Sequence, residues 1–119
     1  MVEISIDGAC AEFTVRGIDK LWALTSSLRI PLASIAAVRA DPEVARARRR
    51  GLRLPGLHVP GLITAGTFHQ EGRRLFWDVR DPAKVVVVEL RDERYDALII
   101  EVAHPAAAVA LLEDARRAG

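Results

Sequence analysis

The densest set of chemically capable side chains in the sequence is RDERYD, residues 91–96, set between VVVVEL and ALIIEV. Asp92, Glu93 and Asp96 could move protons or hold a cation, and Arg91, Arg94 and Tyr95 stand among them. Acid–base work requires a carboxyl group whose pKa is shifted by burial or by a close like charge. A turn in water between two strands offers neither, and its two arginines neutralise the acids locally. A calcium loop needs oxygens at spaced positions and a glycine at its bend, a pattern this segment lacks. The segment therefore reads as the water-facing end of a hairpin, with the Tyr95 ring turned inward and its hydroxyl finding a partner.

A second group is RARRRGLR, which holds Arg46, Arg48, Arg49, Arg50 and Arg53, with Arg39 nearby. Guanidinium groups grip phosphates and carboxylates bidentately, so this cluster is a candidate contact for an anion, a protein partner or an anionic membrane surface. No aromatic residue lies among them to stack bases, which disfavours nucleic acid. The cluster overlaps GLRLPGLHVPGLI, residues 51–63, where Leu52, Leu54, Leu57 and Val59 are interleaved with glycine, proline and basic residues. The segment reads as too irregular for a strand. It is a candidate apolar contact loop, with Trp22 and Trp77 as further walls of one groove.

Other chemistries find less support. His58, His69 and His104 are far apart in sequence, and the lone Cys10 supplies no thiolate cluster, so no zinc-ligand spacing arises. No Gly-x-Ser-x-Gly elbow and no phosphate-cradling glycine loop occurs. These residues point away from an enzyme, a resident metal or a cofactor.

The elements that must position these groups fit one domain spanning residues 1–119. Seventeen basic against sixteen acidic residues give a net charge of +1, too balanced for a general nucleic-acid binder. The opening MVEISID reads as carrying no signal peptide, and no apolar run approaches the ~20 residues needed to span a bilayer. A single cysteine suits a reducing compartment, so the expectation is a soluble, cytoplasmic chain.

Val2, Ile4 and Ile6 share one parity, and Asp7-Gly8 is a turn, so residues 2–15 predict a hairpin. Leu28 to Ile30 reads as extended, PLAS as one tight turn, and Ile35 to Ala40 as a further strand. Strands are also expected at 62–69, around Leu75–Val79, at 84–90 and at 97–102. Pro105 suits the first position of a closing helix whose buried stripe runs through Ala108, Val109 and Leu112, with Arg116 and Arg117 at its cation-favouring end. Strands in sequential hairpins followed by one helix give an α+β plan, a bent or barrel-like antiparallel sheet capped by that helix.

The order GTF, a turn, FWDVRDP, then VVVVELRDERYDALIIEV and a closing helix resembles the bacterial pleckstrin-homology-like domain proteins. LWALTSSLRIPLASIAAV and GLRLPGLHVPG are similar to the same group's strand–turn–strand unit and its glycine- and proline-rich connection. The resemblance implies a PH-like antiparallel barrel or sandwich of about seven strands, with a C-terminal helix plugging one end. It does not imply an activity. The expectation is a non-enzymatic module that binds a protein, a peptide or an anionic ligand through the 46–62 region. A sheet edge or the apolar loop could pair with a second copy to give a homo-oligomer. The alternative is a peripheral membrane adaptor that uses the arginine cluster. The first turn, Asp7-Gly8, carries no basic residue, unlike the phosphoinositide-binding type.

Overall fold

The computed structural model describes residues 1–16, 27–43, 57–59, 63–70 and 72–118. The alternating start of the chain forms a hairpin: β1 (Val2–Asp7) and β2 (Cys10–Val15) meet in antiparallel register, Val2 opposite Val15 and Asp7 opposite Cys10. Gly8 takes φ 61° in the two-residue turn, a conformation glycine adopts without a Cβ clash. β3 (Ser27–Pro31) joins the other side of β2 and completes a three-stranded sheet. Pro31 then starts the expected tight turn, a single 3-10 turn over Leu32–Ser34. That turn carries the chain from the small sheet into β4 (Ile35–Ala40) of the large one.

The large sheet adds β5 (Leu57–Val59), β6 (Ile63–Gln70), β7 (Arg73–Val79), β8 (Val85–Leu90) and β9 (Ala97–Glu101). Its order is β4-β8-β9-β7-β6-β5. Three expectations need correction. Among the described residues the strands number nine in two sheets, rather than about seven, and of the two expected forms they take the sandwich and not the closed barrel. They are not antiparallel throughout, because β9 enters between β8 and β7 and lies parallel to β7, Phe76 beside Leu98 and Trp77 beside Ile99. Leu57 and Val59 are in a strand, with Leu57 opposite Ala65 and Val59 opposite Ile63. Glycine and proline flank this strand without interrupting its backbone ladder.

Parity explains the long apolar runs. Val86 and Val88 on β8, Leu98 and Ile100 on β9, and Phe76 on β7 face the small sheet, where they meet Phe13, Leu28 and Ile30 in one core cluster. The intervening Val85, Val87, Ile99, Leu75 and Trp77 form a second cluster on the opposite face, drawn among the described residues from the large sheet alone. Strands buried on both faces read as continuous apolar runs rather than as alternation. In β7 even Asp78 is fully buried, with a carboxylate oxygen 3.1 Å from the Met1 amino nitrogen. Trp77 is likewise a core side chain, edge-on to Phe68 at 6.5 Å, and not the wall of a groove.

The helix α1 (Pro105–Ala118) starts at Pro105 as expected and lies against β4, β8, β1 and the 3-10 turn. Leu112 is buried, and Ala108, Val109 and Ala115 pack against the first core cluster. No described helix is long and apolar enough to cross a membrane.

Candidate functional site

The acidic turn at 91–96 is a structural clamp. Asp96 N donates to Arg74 O and Arg74 N donates to the Asp96 carboxylate, each at 2.8 Å, which fastens the start of β9 to the start of β7. Leu90 N donates to Asp96 O at 2.9 Å and closes the β8–β9 connection. Tyr95 buries its ring edge-on to Phe76 at 5.6 Å, shares a 3.0 Å hydrogen bond with Thr67 Oγ1, and carries Arg94 over its other face at 5.0 Å. Asp92 stands exposed at φ 55°, and Glu93 reaches Ser34 Oγ at 3.4 Å. Asp96 and Glu93 thus hold partners in different segments, β7 and the 3-10 turn, and do not share one. The other buried acid, Glu101, accepts Arg80 N at 3.0 Å and ties the β7–β8 link to the end of β9.

The remaining sequence candidates divide by position. Arg46, Arg48, Arg49, Arg50, Arg53, Leu52 and Leu54 lie outside the described residues, as does Trp22. Leu57 and Val59 belong to β5, as given above. His69 and His104 are exposed on β6 and ahead of α1, and Cys10 is a half-buried free thiol at the start of β2. Among the described residues no group of three or more His, Cys, Asp or Glu side chains is placed to hold a metal ion.

The concave site lies elsewhere, where three separated segments meet. The β1–β2 turn contributes Gly8 and Ala9, the 3-10 turn contributes Pro31, Leu32, Ala33 and Ile35, and the last turn of α1 contributes Ala115 to Ala118. The open groove between them measures about 880 Å³, within the ~300–1,000 Å³ range of ligand clefts. Its lining is mostly apolar, Ile6 of β1 included, and carries Arg91, Arg116 and Arg117 against the single carboxylate of Glu113. Local folding explains why these side chains converge. Pro31 redirects β3 into the turn, and Arg91 N donates to Ser34 O at 2.8 Å, which draws the 91–96 turn alongside.

The guanidinium groups are held with donors to spare. Arg116 donates to Ala36 O at 3.0 Å and pairs with Glu113, so it is fixed in place. Arg91 gives one N–H to Ile35 O at 3.4 Å out of the five a guanidinium carries. Arg117 is exposed and pairs with Asp114, an arrangement of little net worth in water. On β3, Arg29 donates to Asp7 at 3.1 Å and also meets Glu12. The Asp7 hydrogen bond, foremost among several causes, raises the Arg29 pKa above its ordinary value.

No family model, curated protein or solved structure matches the chain. Its own geometry therefore carries the functional argument. Sequence reasoning had noticed Arg91 only as a neutraliser of the turn and Arg116 and Arg117 only as partners of the helix dipole. The one local signal for the groove was IPLAS, which marks the tight turn but not its neighbours in space.

Proposed function

We propose that this chain is a non-enzymatic binding module that receives an apolar segment bearing a carboxylate, such as a protein partner's peptide, in the groove at the end of α1. The observation that carries the proposal is the groove's composition: a mostly apolar lining with three arginines and one glutamate. Apolar surface supplies the affinity of such a site, and a few placed charges fix orientation. Bidentate guanidinium pairing suits a carboxylate, and pairing at a partly desolvated rim is stronger than in open water. The engagement of Asp96 by Arg74 N and of Glu93 by Ser34 supports a binding role over acid–base chemistry. The PH-like kinship implied by the sequence resemblance would fit a binding role, although the parallel β7/β9 pair weighs against it.

The test is a titration followed by backbone amide NMR. The probe is an apolar tetrapeptide with a free C-terminal carboxylate, compared with its amidated form. The expected result is a shift of the Ala9, Leu32, Ala33 and Arg91 signals with the carboxylate form, weakened at least tenfold by amidation. Signals that stay still at millimolar peptide, or that move equally for both forms, would overturn the proposal.

A further inference from the structure

Among the described strands, four end the two sheets: β1 and β3 in the small one, β4 and β5 in the large one. An edge strand offers unpaired backbone groups to another strand unless something blunts it. Three of these four are blunted. Leu32 N donates to Ala9 O, and the register that follows turns the backbone of Arg29 and Pro31 outward; Pro31 has no N–H to offer. β4 has a register break between Ile35 and Ala37, and Arg116 caps its Ala36 carbonyl at 3.0 Å. β5 is only three residues long.

β1 carries none of these interruptions; α1 lies along it and lines shared grooves with Glu3, Ile4 and Ile6. Its six residues, VEISID, keep an unbroken register and contain no proline and no lysine. Arg16 N donates to Met1 O at 2.9 Å, so Glu3, Ser5 and Asp7 face β2 through their backbone, while Val2, Ile4 and Ile6 turn theirs outward. The side chains agree. Ile4 and Ile6 are only half-buried, although Ala11 and Phe13 beside them on β2 are fully covered. Ile4 also lines a shallow apolar groove of about 340 Å³ with Leu111, the exposed large hydrophobic side chain of α1.

We propose that β1 pairs antiparallel with β1 of a second copy, about a two-fold axis at Ile4. Outward-facing residues must meet one another, so Ile4 would pair with its own counterpart and Val2 with Ile6. Charge selects this register over its neighbours. Here Glu3 lies opposite Ser5, whereas a slip of two residues sets Glu3 against Glu3 in one direction and against Asp7 in the other. Like charges directly opposite each other are destabilising. Pairing at this edge would cover the half-buried Ile4 and Ile6 and join the two small sheets into one. Ile6 also lines the groove at the end of α1, but none of that groove's arginines enters the pairing, so sedimentation and the peptide titration are read separately.

Sedimentation velocity over a concentration series tests the proposal. The wild-type mass is expected to rise from one chain to two. Ser5→Glu places carboxylates opposite Glu3 twice in the dimer and should raise the dissociation constant about tenfold. Ser5→Lys should lower it. Ile4→Pro removes the outward N–H at the axis without touching the bonds to β2 and should abolish pairing, with folding followed by circular dichroism. A single-chain mass at every concentration would overturn the proposal. Equal effects of Ser5→Glu and Ser5→Lys would do the same, and this pair of variants decides the matter even where Ile4→Pro fails to fold.

Discussion

The 91–96 turn and the groove at the end of α1 both hold arginines beside carboxylates, yet they use them in opposite ways. In the turn, Asp96, Tyr95 and Glu93 all reach a partner in another segment of the chain. In the groove, Arg91 and Arg117 reach the surface with donors left over, in a mostly apolar lining with room for a ligand. The difference teaches that a high density of catalytic residue types is not itself a site. What matters is whether the fold has already committed those groups.

This contrast can be broken by substitution. Tyr95→Ala removes a buried ring and its Thr67 bond, and thermal unfolding should show a loss of about 3 kcal/mol. Asp96→Ala deletes the acceptor that fastens β9 to β7 and should cost about 1 kcal/mol in a denaturant titration. The combined Arg91→Ala and Arg117→Ala variant should change stability by less than about 0.5 kcal/mol per site, as exposed positions do. The same variant should weaken carboxylate-peptide binding at least tenfold in the NMR titration, and a large stability loss there would erase the contrast. Asp92→Gly relieves the left-handed backbone and should leave stability unchanged or raise it by about 0.5 kcal/mol in the same melt.

Much of the fold was legible because its signals are local. Parity at Val2, Ile4 and Ile6, the Asp7-Gly8 turn, Pro31 and Pro105 each act within a few residues, and each marks an observed boundary. The parallel β7/β9 pair was not legible, because Phe76, Leu98 and Ile100 would carry the same apolar pattern in any strand order. β5 was hidden for a different reason. At three residues between glycines and prolines, it is too short for alternation to show. The site was less visible still, since Ala9, Leu32 and Ala115 are unremarkable residues that only the tertiary fold brings together.

The placement of β9 has a consequence for how the chain comes together during synthesis. β4 and β8 form one pair of the large sheet, and β5, β6 and β7 form a run on the other side. Among the described strands only β9 joins them, and it is synthesised after the other eight. Until residue 101 is clear of the exit tunnel, the strand that joins the two parts of the large sheet cannot take its place. A chain that stops before Ala97 would hold eight of the nine strands and still lack a continuous large sheet.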